Sequence, residues 1–134
     1  TPGTGAYMWP VAGTSTGNVS SYFGYRTHPI FGDQRFHSGV DISAGSGTTI
    51  MAADSGTVLS ATYHYSYGNY VVISHGSGSS TLYAHMSSIA VSAGQSVSKG
   101  QTIGYVGSTG CSTGPHCHFE IRVGGSLVDP LSYF

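Results

Sequence analysis

Residues 56–75 read GTVLSATYHYSYGNYVVISH. Two runs rich in β-branched and aromatic residues, 56–63 and 69–75, lie on either side of a segment with Gly and Ser, a pattern typical of short strands. Similar runs occur at 48–53, 80–86, 102–107 and 116–123. No convincing helical pattern separates them, so the sequence predicts an antiparallel all-β domain rather than alternating strands and helices.

Length and charge limit the classes of function. The chain has 134 residues, which is most simply one domain. Four Lys and Arg against five Asp and Glu give a net charge of −1, so we expect no binding to nucleic acid. No apolar run approaches the roughly 20 residues of a membrane helix, so we expect no insertion into a membrane.

The ends of the chain suggest how the domain is organised. Residues 1–8 resemble the tail of a Thr/Gly/Pro linker, which predicts a single domain over 9–134, a monomer, with other domains before it. Residues 14–41 show little pattern, so we expect a long irregular segment that walls a cleft.

The seven histidines are the main chemical signal, and three stretches hold the strongest grouping: HSGVD at 37–41, YAHM at 83–86 and HCH at 116–118. Side chains alternate along a strand, so His116 and His118 should share one face, with Cys117 on the other. His37 and Asp41 are four residues apart and would also share a side of a strand.

Two neutral imidazoles and one carboxylate, with a fourth position left to water, can hold a catalytic Zn²⁺. Two further imidazoles could then accept a proton and stabilise a developing oxyanion. The alternative is that each histidine is simply an exposed or hydrogen-bonded side chain, as most histidines in β proteins are. Spacing alone does not say which imidazoles would bind a metal.

Several motifs, taken in order, resemble the lysostaphin-type (LytM-like) zinc endopeptidases of bacterial cell walls. They are FGYRTHP at 23–29, HSGVD, GNYVVISHG at 68–76, TLYAHMS at 81–87 and GPHCHFEI at 114–121, and the match runs from about Trp9 to Pro130. The resemblance implies two antiparallel sheets in a β-sandwich-like fold, with loops forming a substrate groove. It also implies an extracellular or cell-wall setting, one Zn²⁺ per chain and hydrolysis of peptide bonds in peptidoglycan.

The same resemblance implies roles for five residues. His37, Asp41 and His118 correspond to the zinc ligands, while His85 and His116 correspond to the catalytic pair. The first histidine of H-x-H is therefore not a ligand.

Position 117 departs from the family, which usually has an aliphatic residue there. A disulfide between Cys117 and Cys111 is the favoured interpretation, because Gly114 and Pro115 can turn the short connection between them. Two thiols acting as small apolar side chains are the alternative, and a Cys117 zinc ligand is a third.

Five further residues are candidates for substrate contact or for support of the site: Arg26, His28, Asn69, Tyr83 and Glu120. Glu120 shares the strand face of His116 and His118, where it could fix an imidazole tautomer or pair with Arg122 or Arg26. Asn69 could contact substrate, but closing a turn is the more ordinary role.

Two other classes of function compete with a peptidase. A non-catalytic relative could bind cell wall or activate another hydrolase. Residues 53–61 and 94–104 also resemble parts of biotinyl or lipoyl carrier domains, but Lys99 is the only lysine and lies in the wrong context. The sequence leaves open which peptide bond a peptidase would cut.

Overall fold

The structure is a computed structural model of the chain. It describes residues 7–14, 18–21, 23–27, 34–37, 39–64, 67–76, 78–107, 115–124 and 126–133. At residues 20–21, 24–27, 34–37 and 132–133 the description is limited to the backbone.

Twelve strands lie in these ranges. They are β1 (Val19–Ser21), β2 (Gly24–Thr27), β3 (Gln34–His37), β4 (Val40–Ser43), β5 (Thr49–Met51), β6 (Gly56–His64), β7 (Gly68–Gly76), β8 (Ser79–Ile89), β9 (Ser96–Val97), β10 (Thr102–Val106), β11 (His116–Val123) and β12 (Ser126–Val128). A 3-10 turn covers Pro130–Tyr133, and no α-helix occurs in the described ranges. No helix of the described residues is long and apolar enough to cross a membrane.

Every strand pairing is antiparallel, which confirms the all-β class. Ten strands join in one sheet with the main order β1-β4-β11-β8-β7-β6-β9, while β2 and β3 form a separate two-stranded sheet. Strand β10 pairs with both β5 and β8, and β12 pairs with β11. The described strands thus form one large branched sheet and one small one, and the β-sandwich-like packing of two sheets stays a prediction.

The branch lies within β8. Residues 79–84 of this strand pair with β11, whereas the residues from Met86 onward pair with β10. His85 is the residue between the two partners, so a candidate catalytic residue marks the point where β8 changes neighbour.

Two of the predictions concern the first 41 residues. Segment 14–41 contains β1, β2 and β3, so it is not one long irregular loop; these short strands lack a clear alternation in sequence. Tyr7 packs against the core and the Met8 amide donates to the carbonyl oxygen of Ala53 at 2.8 Å, so packing starts before Trp9. Residues 1–6 lie outside the described ranges.

The core follows the alternation of the strands. Side chains that face it are fully buried in β4 (Val40, Ile42), β7 (Val71, Ile73) and β11 (Cys117, Phe119, Ile121). The alternate residues of β11 project from the opposite face, so the packing that fixes the strand register also decides where its polar side chains lie.

A chain of hydrogen bonds crosses the core beside β8. His75 Nδ1 donates to the Ser55 carbonyl at 2.8 Å, and because a carbonyl only accepts, Nε2 of the neutral ring accepts from Thr81 Oγ1 at 2.8 Å. Thr81 Oγ1 in turn accepts from the Tyr83 hydroxyl at 2.6 Å, and Tyr83 accepts from the Ala53 amide at 2.9 Å. In this arrangement every donor and acceptor of His75, Thr81 and Tyr83 has a hydrogen-bond partner only while the His75 ring is neutral.

Burial is the main reason that the pKa of His75 lies below 6.5; the hydrogen bond to Ser55 and the charge of Asp54 oppose this effect without cancelling it. As the pH falls, the unfolded chain therefore takes up the proton first. The contribution of His75 to stability is complete above about pH 6.5 and declines below that value.

We expect His75→Gln, which stays neutral at every pH, to remove this part of the pH dependence. The difference in free energy of unfolding between wild type and variant should shrink as the pH falls from about 8 to about 5. Urea unfolding at a series of pH values measures it. Parallel pH profiles for the two proteins would contradict a buried neutral His75.

Candidate functional site

The site is built on the pairing of β11 with β4. The register places His118 opposite Asp41 and His116 opposite Ser43. Because Cys117 and Phe119 face the core on either side of His118, His116 and His118 project together from the other face, as strand alternation predicts.

His118 is held between two carboxylates. Its Nδ1 lies 2.9 Å from Asp41 Oδ1, and its Nε2 lies 2.8 Å from Glu120 Oε2. Burial would lower the pKa of His118 and is the largest single influence, but the hydrogen bonds and charges of Asp41 and Glu120 together outweigh it and raise the pKa from 6.5 to about 9. Without a metal, the two carboxylates therefore favour the protonated imidazole, which can donate to both.

The same geometry fits a metal ion. When Nε2–H is donated to Glu120 and the ring is neutral, the lone pair of Nδ1 faces Asp41 Oδ1 at 2.9 Å. Two acceptor atoms this close need a proton or a cation between them, and imidazole nitrogen with carboxylate oxygen suits Zn²⁺. Within the described ranges, no group of three or more His, Cys, Asp or Glu is arranged to hold a metal. The side chain of His37, the third predicted ligand, is outside them.

Two more imidazoles stand beside this pair. The ring centroids of His85 and His116 are 4.8 Å apart, and those of His85 and His118 are 6.2 Å apart. His116 Nε2 lies 3.7 Å from Asp41 Oδ1. The structure thus brings together four of the five residues to which the resemblance assigns roles.

His85 has a strained backbone. Its φ of 60° is the only positive value of a non-glycine residue in the described part of the chain. Such conformations cost of order 1–3 kcal/mol and persist only where surrounding structure holds them. Here the His85 amide donates to the Tyr67 carbonyl at 2.7 Å, and its own carbonyl accepts from the Gly107 amide at 3.0 Å.

Glu120 supports His118 and pairs with arginine at the same time. Its side chain is 0% exposed, and its second oxygen, Oε1, accepts from Arg122 Nη2 at 2.9 Å. Its Oε2 also accepts from the Tyr67 hydroxyl at 3.1 Å. Glu120 can therefore orient the His118 imidazole through Oε2 and form a salt bridge with Arg122 through Oε1 at the same time, so the two alternatives do not exclude each other. The sequence did not single out Tyr67, because its position in a cluster of tyrosines gives no sign of a partner 53 residues away.

The glycine of HSGVD allows β4 to approach β11. A Cβ at Gly39 would overlap the carbonyl oxygen of Phe119 and would lie 2.8 Å from Glu120 Cγ. Any side chain at this position would push apart the two strands that carry Asp41 and His118.

The other predicted residues lie in different places. Tyr83 is 0% exposed and its hydroxyl belongs to the core hydrogen-bond chain, so in this structure it lies in the core rather than at the site. Asn69 Nδ2 donates to the Met86 carbonyl at 3.1 Å and so joins β7 to β8. His28 lies outside the described residues, and Arg26 is described only in its backbone, on β2.

Cys117 is a free thiol in the core, in contrast to the expected disulfide. Its side chain faces the apolar interior next to Phe119, and burial is the main cause that raises the pKa of the thiol to about 12. It therefore behaves as a small apolar residue on the face opposite Asp41 and His118, which also excludes it from their site. Cys111 lies outside the described residues.

The molecule is thus an antiparallel β domain with histidines and carboxylates gathered on one sheet face. The chain belongs to peptidase family M23, whose model matches residues 35–130. The resemblance to lysostaphin-type enzymes is confirmed.

Curated relatives include the DD-carboxypeptidase/endopeptidase Mpg of Neisseria meningitidis, 46% identical over 114 residues that cover 85% of this chain and 26% of the relative. Peptidoglycan DD-endopeptidase ShyA of Vibrio cholerae is 42% identical over 106 residues, 79% of this chain and 25% of its own. The chain thus spans about a quarter of the length of these relatives.

Solved structures give the same result. A zinc containing peptidase from Vibrio cholerae superposes with a TM-score of 0.84 at 37% identity, covering 92% of this chain and 39% of the other. The catalytic domain of lysostaphin from Staphylococcus simulans has a TM-score of 0.72 at 32% identity, covering 84% and 87%.

Gly39→Ala tests the close approach of β4 and β11. We expect a loss of stability of about 1–3 kcal/mol from overpacking, together with weakened metal binding as Asp41 moves away from His118. Gly45→Ala is the matched control, because a Cβ there meets only Thr48 Oγ1 at 3.9 Å. Chemical unfolding and zinc titration of both variants measure the two effects; equal behaviour of the variants would contradict the steric argument.

Proposed function

We propose that this domain is a zinc-dependent endopeptidase that hydrolyses peptide bonds in bacterial peptidoglycan. The observation that carries the proposal is the arrangement of His118 Nδ1 at 2.9 Å from Asp41 Oδ1, with Nε2 anchored by Glu120. Membership of family M23 and relatives named as peptidoglycan endopeptidases support it.

Asp41 and His118 would hold the ion, with His37 as the third protein ligand. When bound, Zn²⁺ would lower the pKa of a water molecule at the site and polarise the scissile carbonyl. Glu120 would keep the proton of His118 on Nε2, so that the lone pair of Nδ1 can bind the ion. Asp41 contributes a negative charge that balances part of the charge of the ion.

His85 and His116 are proposed to handle protons. Their rings are 4.8 Å apart, beside Asp41 and His118, so both can reach a substrate placed over that pair. One imidazole accepts the proton of the attacking water, while the other donates a hydrogen bond to the oxyanion of the tetrahedral intermediate. His116 Nε2, which faces Asp41, is an atom suited to such an exchange.

The substrate and setting follow from the relatives. ShyA is named as a peptidoglycan DD-endopeptidase, and the name of Mpg includes a DD-carboxypeptidase/endopeptidase activity. We extend this to the present domain, which would act outside the cytoplasmic membrane, where peptidoglycan is found. The 42% identity to ShyA, named as a peptidoglycan DD-endopeptidase, favours a D,D cross-link as the substrate over a glycine bridge.

Single alanine variants separate metal binding from proton transfer. His37→Ala, Asp41→Ala and His118→Ala should each lose the zinc, of which the wild type should hold about one ion per chain, and with it activity. His85→Ala and His116→Ala should keep the zinc but lower turnover by at least ~100-fold. Metal analysis and peptidoglycan hydrolysis, measured side by side, check both groups.

Three outcomes would overturn parts of this proposal. A wild type that binds no zinc would remove the central claim. Loss of metal in His116→Ala with retention in His118→Ala would exchange their roles. A wild type that binds zinc and peptidoglycan but releases no fragments would favour the alternative, a non-catalytic cell-wall-binding or hydrolase-activating domain.

The choice of bond has its own test. Purified peptidoglycan with direct D,D cross-links and peptidoglycan with glycine bridges should be digested in parallel, and the fragments identified by mass spectrometry. We expect monomeric stem-peptide fragments from the former and little release from the latter. Preferential release of glycine-terminated fragments would assign the domain the other bond.

A further inference from the structure

Tyr67 contacts the site through both its ring and its hydroxyl. It stands immediately before β7, and its ring stacks on that of His118, with centroids 5.9 Å apart and planes at 29°. Its hydroxyl donates to Glu120 Oε2 at 3.1 Å. The same oxygen lies 2.8 Å from His118 Nε2, so Tyr67 contacts both the imidazole and the carboxylate that orients it.

The backbone of Tyr67 reaches the other half of the site. Its carbonyl oxygen accepts from the His85 amide at 2.7 Å. That amide belongs to the residue with φ of 60°, where β8 departs from regular pairing. Tyr67 therefore contacts both the side chain of His118 and the backbone of His85, a histidine proposed to move protons.

Tyr67 is itself held from behind. Its amide donates to His64 Nδ1 at 3.3 Å, and its ring lies against His64 and Tyr70, with centroids 5.3 Å and 5.8 Å away. These contacts restrict the tyrosine before any ligand binds. A restrained donor can orient Glu120 without paying for its own ordering on binding.

We infer that Tyr67 is a positioning residue: through Glu120 and ring stacking it sets the orientation of His118, and through its carbonyl it sets the backbone of His85. The expected consequence is tighter zinc binding, and this part of the inference rests on the proposed function. Groups that orient a metal-binding histidine in this way are typically worth 10–100-fold in metal affinity.

Tyr67→Phe removes the hydroxyl and keeps the ring, while Tyr67→Leu also removes the stacking. Tyr70→Phe is the matched control, since it removes a hydroxyl from the same aromatic cluster, and the Tyr70 ring packs against His64 and Tyr67. The first readout uses metal-free protein labelled with ¹⁵N in its histidines. Tyr67→Phe should shift the ring resonances of His118 and leave those of His75, in the core, unchanged.

The second readout is zinc affinity by competition with a chromophoric chelator. We expect a loss of about 10-fold for Tyr67→Phe, a larger loss for Tyr67→Leu, and no more than about twofold for Tyr70→Phe. A merely structural tyrosine would lower the metal-free melting temperature of the variants without moving the His118 resonances selectively.

The two readouts separate the possible failures. If wild-type protein binds no zinc, the proposed function fails, while the resonance shifts still test the contact of Tyr67 with His118. If wild type binds zinc but Tyr67→Phe matches Tyr70→Phe in affinity and in the His118 resonances, the positioning role is wrong.

Discussion

The register between β4 and β11 is the constraint on which the site depends. It places Asp41 opposite His118, and it is fixed by residues that take no part in chemistry, because Val40 and Ile42 on one strand and Cys117 and Phe119 on the other must face the core. A shift by one residue would turn every side chain to the other face. Gly39 allows the two strands to approach closely just before this pair. The hydrophobic core therefore positions the polar atoms.

The same register buries the carboxylate of Glu120, which has an energetic cost. Glu120 is costly to bury without partners, and it has three: His118, Tyr67 and Arg122. Only 7% of the chain is charged, so placing two acids next to one imidazole concentrates much of its charge in the site. Loss of any one of these partners would leave part of a buried negative charge uncompensated.

Much of this could be predicted from the sequence, for a physical reason. Strand alternation depends only on local geometry, so the shared face of His116 and His118 and the opposite orientation of Cys117 follow from three adjacent residues. The short motifs were likewise enough to predict the family to which the chain belongs. The sequence left the place of Tyr83 open, because a tyrosine suits a groove and a core equally well until its hydroxyl partner is known. The free Cys117 and the contacts of Tyr67 depend on long-range packing that no local pattern records.

The change of partner along β8 explains why His85 can be strained yet fixed. Up to Ala84 the strand is held by β11, and from Met86 by β10, so His85 occupies a bulge whose two ends are both hydrogen-bonded. Its amide and carbonyl are taken by Tyr67 and Gly107. Sites carried on strands keep their geometry better than sites carried on loops. The strain is therefore borne by the sheet, which holds the His85 side chain, proposed to handle protons, at a fixed distance from His116 and His118 on β11. On a freely moving loop that distance would vary.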